Sequence, residues 1–494
     1  MVYNLDKQFT RQTLDPNQHE LDIFDVSENC KEIIENKLTP PDIPVQFKES
    51  LVHVSNDMNW TIGVLVDENW KIISHPWVKK AILSLNEVIT EETLDSYLKY
   101  QSWDWIPMYN YAYNKLIEAE EKKYWWWKPQ WCETKSYFIH WWWNGLAIFR
   151  DFFLKHWDTM ILPNYRWPNI DWIVKNKTGR SPSIANIFDS NWKIDFKDIS
   201  RCIDNARFSW EKKVGIYLNF PHNPTWTNAS EEDMKEFNKI LANHSDMEIN
   251  IVVDDPYWAY ACDENAQVKQ PISYMINTKD NKHVTVLELW SHWTKEAWVY
   301  WLRSAVMRGI THKDNKETLE KKLWLAIRET TSMSPTITQD IMIRAILGIE
   351  TDVFSPIESL NENQVDQNIK EYLEEREKIL KNVIKRVKLF QKALWKYNSE
   401  YLQCMSIEDG WIDWFYLTYS LSEIAKEKWM SIEQLRRKCI NSWDNSISFA
   451  VFQDDNTSEQ CLRISLISWD FEEYAKRLRM WIENQILDNW KKSR

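Results

Sequence analysis

The sequence predicts an α/β protein with a large domain on a mostly parallel central sheet flanked by helices, plus a smaller α+β domain. Two observations carry this. Between about residues 140 and 290, short β-rich runs at 159–163, 214–220, 249–254 and 284–289 alternate with helix-like stretches, the pattern of a largely parallel sheet. Beyond residue 350 the chain changes character, first to a long charged segment and then to alternating short strands and helices.

Taken in order, residues 1–50 are polar, contain Pro40-Pro41 and show no strong period, so they are expected to form an arm. Residues 51–95 are assigned to the N-terminal part of the small domain, 96–350 to the large domain and 351–494 to the C-terminal small domain. The segment 358–397 is dense in Lys and Glu with Leu, Ile and Val at helical spacing, which predicts one long amphipathic helix with a solvated face. Strands are then expected at 407–419, 446–452 and 461–467, with helices at 431–439 and 470–489.

The 494 residues are 44% hydrophobic and 27% charged, enough apolar material for one large or two medium cores. A formal charge of −12 with both signs interspersed repels nucleic acid and anionic membranes and favours small-molecule chemistry. Seven widely scattered Cys with no Cys-x-x-Cys pair read as reduced thiols of a cytoplasmic protein. The sequence has no apolar signal core at its N-terminus and no long uncharged apolar run, so no membrane association is expected. Ten His without a His-Glu-x-x-His or paired Cys/His spacing give a metal site no support.

One pair of counts is abnormal: 32 Trp against 7 Gly, where a chain of this length ordinarily carries roughly 35 Gly and a few Trp. The sum of the two is normal and only the partition is wrong, so most of these Trp are expected to stand where Gly is meant. A genetic code that reads UGA as glycine, translated with tryptophan in its place, would produce this exchange. Local turn chemistry agrees. Asn69-Trp70 lies between two apolar runs where a two-residue hairpin wants Asn-Gly, and Trp429 falls between a helix-like run and the capping box Ser431–Gln434, where a helix stop wants Gly. The alternative is a chain truly rich in Trp, and the mass of a native peptide spanning Trp141 to Trp143 separates the two.

Ligands of open α/β sheets bind at the carboxyl ends of the strands, and the polar residues worth weighing fall there. After the second run comes Asn219-Phe220-Pro221-His222-Asn223-Pro224-Thr225-Trp226, and the third ends in Val253-Asp254-Asp255-Pro256-Tyr257. Downstream lies Thr294-Lys295, with Arg303 eight residues after the lysine. Taken singly, each reads as a turn or a solvated charge. With Trp226 read as Gly, the ordered set resembles the class I/II aminotransferases of the pyridoxal-phosphate fold-type I superfamily, over most of the chain from about Tyr100 to Arg463.

The resemblance implies a role for each matching residue. Lys295 would carry the cofactor as a Schiff base and shuttle the proton at the substrate Cα, an amine made available by the cationic Arg303 in a partly desolvated pocket. Asp254 would pair with the pyridine nitrogen and keep it protonated. Asn223 and Tyr257 would donate to the ring's phenolic oxygen, with Asn223 also touching substrate, and Arg303 would clamp the phosphate as a two-pronged donor. Trp141-Trp142-Trp143-Asn144-Gly145 matches the small-residue phosphate turn at a helix N-terminus. As written, its indoles would block the close backbone approach that glycines allow. Trp167 matches the aromatic residue stacked on the cofactor ring, so it is read as a true tryptophan that also borders substrate. Tyr100 resembles the tyrosine that reaches the neighbouring subunit's phosphate, which implies a homodimer with shared sites. Arg463 matches the arginine that binds the substrate's α-carboxylate.

The function expected is therefore pyridoxal-phosphate-dependent transfer of an amino group from an amino acid to a 2-oxo acid. A lyase or decarboxylase on the same scaffold is the first alternative, because these residues serve the cofactor rather than the outcome. A non-catalytic cofactor-binding regulator is the second, although the acidic N-terminal arm offers no basic recognition helix.

Overall fold

The computed structural model describes residues 73–98, 106–124, 133–166, most of 169–395, and the short stretches 403–404, 416–420 and 461–465. The chain divides into two compact units, residues 73–384 and residues 1–72 with 385–494.

The first unit opens with helices α1 (Pro76–Leu83), α2 (Glu91–Leu98) and α3 (Pro107–Tyr124). His75 caps α1, its ring accepting from Trp77 N at 3.3 Å, with Pro76 at the first helical position, where a missing N–H costs nothing. Seven strands follow: β1 (Tyr137–His140), β2 (Thr159–Pro163), β3 (Ser183–Ala185), β4 (Lys213–Asn219), β5 (Glu248–Asp255), β6 (Val284–Trp290) and β7 (Ser304–Thr311). Their order in one sheet is β1-β7-β6-β5-β4-β2-β3. Pairings from β3 through β6 are parallel, and β7 alone runs against its neighbours β6 and β1. The expected runs at 159–163, 214–220, 249–254 and 284–289 are thus β2, β4, β5 and β6 within a residue or two. These interior strands are buried on both faces, which is why they read as continuous apolar runs rather than alternating ones.

Between the strands lie α4 (Trp141–Ile148), α5 (Asn169–Thr178), α6 (Lys197–Phe208) and α7 (Glu231–Asn243). Helix α7 starts at a capping box in which Ser230 and Asp233 serve each other's backbone N–H, so the chain turns into the helix at one defined residue. Gly145 lets α4 lie on the sheet: a Cβ there would stand 2.4 Å from Leu289 and 2.7 Å from Ile139. After β7 come α8 (Lys316–Thr331), α9 (Thr336–Leu347) and α10 (Glu362–Trp395). Helix α9 is buried from Gln339 to Leu347, and its Asp340 is matched by Arg344 at 2.6 Å and the Tyr97 hydroxyl at 2.7 Å. Helix α10 begins four residues later than the charge pattern suggests, because Asn361 accepts from Gln364 N and acts as its cap.

Two Trp sit in backbone conformations that bulky residues avoid. Among the described residues only Trp157 (φ 75°), Trp210 (φ 64°) and Arg303 (φ 46°) combine a side chain with positive φ. Trp210 follows α6 at the position of a Schellman stop: its N–H bonds Arg207 O at 3.0 Å, and Glu211 N bonds Ala206 O at 3.1 Å. That position is ordinarily glycine. Trp157 is the third residue of a turn closed by Asp158 N to Lys155 O, where positive φ again calls for glycine. Asn69-Trp70 and Trp429 lie outside the described residues.

Of the second unit, β8 (Gln403–Cys404), β9 (Tyr416–Ser420) and β10 (Cys461–Ser465) form an antiparallel sheet in the order β10-β9-β8, with Arg463 opposite Thr418. The strand expected at 446–452 and the helices at 431–439 and 470–489 lie outside the described residues.

Candidate active site

Because all strands but β7 run the same way, the ends of β1, β4, β5 and β6 and the start of β7 share one edge of the sheet. Registers fix who stands beside whom: Asn219 opposite Asp254, Asp254 opposite Leu289, Asp255 opposite Trp290, and His140 opposite Ser304. The predicted residues Asn223, Asp254, Tyr257, Lys295 and Arg303 and the first turn of α4 therefore gather at this edge.

Asp254 is its centre. The carboxylate is buried; Oδ2 accepts from the Tyr217 hydroxyl at 2.8 Å, while Oδ1 is buried with no hydrogen-bond donor. Burial pushes its pKa up to about 7, against the downward pull of the Tyr217 hydrogen bond and the Lys295 charge. Tyr217 precedes the strand-end Asn219 by two residues, so both project from the same face of β4. Asn219 donates to the Asp254 backbone carbonyl at 2.7 Å, and its own Oδ1 accepts from Asn223 N, also at 2.7 Å. One asparagine thus ties the end of β5 to the turn that presents half-buried Asn223. His222 beneath that turn is fully buried between Thr225 and the Tyr165 carbonyl, and burial pushes its pKa down to about 3.

Lys295 begins the next segment, half-buried, its Nζ 5.9 Å from the centre of the buried Tyr257 ring. Arg303 is exposed at the entrance to β7 in its positive-φ conformation. The phosphate-turn candidates Trp141, Trp142 and Trp143 form the first turn of α4 directly after β1, with backbone N–H groups lacking helical partners as at any helix start. Trp167 and Tyr100 lie outside the described residues, and Arg463 is described as a strand position in the other unit.

Sequence reasoning missed Tyr217 and Asn219. Asn219 stood inside the quoted motif, but Tyr217 is one aromatic in an apolar strand, and only the register with Asp254 gives it a role. Among the described residues no cluster of His, Cys, Asp and Glu is arranged to hold a metal, and no helix is long and apolar enough to cross a membrane.

Residues 144–289 match the model of the family aminotransferase class I and II. The fold is that of an aminotransferase from Anaerococcus prevotii, with a TM-score of 0.66 at 18% identity over 96% of this chain and 98% of that one. It is shared by the kynurenine aminotransferase of Pyrococcus horikoshii in complex with PMP (0.63, 14%, 92% and 98%) and by the multiple substrate aminotransferase of Thermococcus profundus (0.60, 16%, 92% and 99%). No curated protein matches the chain by sequence. The fold is the fold-type I α/β architecture, and the segment carrying Asn223 and Asp254 is similar to the class I and II aminotransferases.

Proposed function

We propose that this chain is a pyridoxal-phosphate-dependent aminotransferase that moves an amino group from an amino acid to a 2-oxo acid. The observation that carries the reading is the buried, donorless Oδ1 of Asp254 on the strand edge that also bears Lys295. A buried carboxylate oxygen without a donor is costly, and a protonated ring nitrogen is the partner this one fits.

When bound, pyridoxal phosphate supplies an electron sink for the pair left at the substrate Cα. Asp254 would hold the proton on the ring nitrogen, and the Tyr217 hydroxyl fixes the carboxylate's orientation. Lys295 would hold the cofactor through its Nζ, and the same amine would hold and return the proton at the substrate Cα. Asn223 and Tyr257 would donate to the phenolic oxygen. Arg303 and the first-turn backbone of α4 at Trp141, Trp142 and Trp143 would hold the phosphate. We further assign Trp167 to ring stacking, Arg463 to the substrate carboxylate and Tyr100 to the neighbouring protomer's phosphate, in a cytoplasmic homodimer.

The test is spectroscopic. The purified chain loaded with cofactor should convert from the pyridoxal to the pyridoxamine absorbance with some amino acid in a panel and return with a 2-oxo acid. Borohydride should trap the cofactor on Lys295 and nowhere in Lys295→Ala. Release of ammonia or CO₂ without conversion would replace the reading with a lyase or decarboxylase, and trapping on a different lysine would overturn the assignment of Lys295.

A further inference from the structure

Two loops leave adjacent strand ends beside the candidate site, and one side chain joins them. Strands β2 and β4 are parallel neighbours, with Ile161 opposite Ile216. The loop after β4 presents Asn223, and the loop after β2 runs through Tyr165 and Arg166, which precede Trp167 in the sequence. Successive carbonyls of the second loop are held one by one. Arg166 Nη1 donates to the Pro163 and Asn164 carbonyls, both at 3.1 Å, while its Nε and Nη2 grip Asp171 of α5 at 2.9 and 2.7 Å. The third carbonyl, that of Tyr165, is taken from outside the loop: His222 Nε2 stands 2.9 Å from it. The other ring nitrogen of His222, Nδ1, lies 2.8 Å from the Thr225 hydroxyl.

These partners fix where the imidazole carries its proton. A carbonyl oxygen can only accept, so Nε2 bears the hydrogen. The residue is 0% exposed, the rings of Phe188 and Phe220 lie 5.2 and 5.8 Å from its own, and neither nitrogen faces a carboxylate. Such surroundings favour the uncharged ring, and burial holds its pKa down at about 3. A neutral imidazole has a single N–H, so Nδ1 accepts and the Thr225 hydroxyl donates to it. The turn itself closes through its backbone, His222 N donating to the Thr227 carbonyl at 2.9 Å. The Nε2 end of the ring therefore serves the neighbouring loop rather than its own turn.

We propose that His222 is a positioning residue for the cofactor ring: in its Nε2–H form it locks the loop that leads to Trp167 against the turn that presents Asn223. The donor in the plane of the ring is thereby set relative to the aromatic on its face. This rests on the pyridoxal-phosphate reading above and on the roles given there to Asn223 and Trp167. A rigid ring with an acceptor at one end and a donor at the other suits the task, because a misplacement of about 1 Å can cost a hundredfold in rate.

Two substitutions separate the ends of the imidazole. Glutamine can bring an amide N–H to where Nε2 stands, whereas asparagine reaches only as far as Nδ1. In the full chain loaded with pyridoxal phosphate, His222→Asn should lose about half or more of the circular dichroism induced in the cofactor band, and its kcat should fall about tenfold or more with KM for the amino donor nearly unchanged. His222→Gln should keep most of the dichroic band. Equal loss in both variants, or loss in neither, overturns the proposal, since a packing defect does not distinguish the two ends of the ring. In the cofactor-free chain, nitrogen NMR of labelled histidine, with the His222 signals identified by their absence in His222→Gln, should show Nε2 protonated and Nδ1 bare from about pH 5 to 8. A proton on Nδ1 in that range overturns the proposal as well. Should His222→Asn fail to fold, the other two measurements decide: Nε2–H with the band retained in His222→Gln supports the lock, and Nδ1–H or a lost band refutes it. A chain that binds no pyridoxal phosphate overturns the function and this inference with it; trapping on Lys295 with an unchanged band in His222→Asn overturns this inference alone.

Discussion

Asp254 is held at a strand end with one oxygen satisfied and one not, and its protonation is linked to stability with a definite sign. Its pKa in the folded chain is raised, to about 7 from an ordinary 3.8. Between these values the unfolded chain gives up the proton while the folded chain keeps it, so stability falls as pH rises and levels off above about 7. The full loss is roughly 3–5 kcal/mol. In urea titrations of the cofactor-free chain, Asp254→Asn should lack this part of the slope, gaining on the unaltered chain from pH 4 to 7. Parallel profiles would mean that Asp254 ionises as readily folded as unfolded. Of the residues that gather at this sheet edge, Asn223, Asp254, Tyr257 and Lys295 stood out in the sequence because they sit in ordered motifs near strand ends. Tyr217 did not, because its part depends on a hydroxyl reaching across to the next strand.

At the level of elements, α6 ends in a complete Schellman arrangement with an indole where its hydrogen-bond pattern favours glycine. Trp210 is 88% exposed, so its side chain contributes little packing to offset the left-handed backbone. Trp210→Gly should therefore stabilise the chain by about 1 kcal/mol, measured as a shift in denaturation midpoint at unchanged slope. A loss of stability would show that the indole is native to this site. Strands β2, β4, β5 and β6 were legible because burial on both faces leaves an uninterrupted apolar signature. Strand β7 was not: Arg308 interrupts its run, and what makes that residue tolerable inside the sheet is Glu288, directly opposite on β6, with Glu133 at 2.9 Å. A cross-strand ion pair of this kind is invisible to periodicity.

For the molecule as a whole, a cofactor bound only by the folded state adds its binding free energy to stability. At a hundredfold excess over Kd that is about 2.7 kcal/mol, enough to raise Tm by roughly 2 °C or more. Differential scanning calorimetry with pyridoxal phosphate should show the rise, with a smaller one in Lys295→Ala. Equal melting with and without cofactor would remove the case for this site. The antiparallel placement of β7 has a further effect, on timing. Strands β2 to β6 can pair with neighbours as they leave the ribosome, but β1 has only β7 beside it, and the chain must lengthen from residue 140 to residue 311 before that partner exists. At cellular rates of synthesis this is a wait of roughly 10–30 s, during which the strand leading into α4 has no sheet to join. Nascent chains released before residue 311 would therefore lack the edge on which α4 is mounted, however well their central strands have paired.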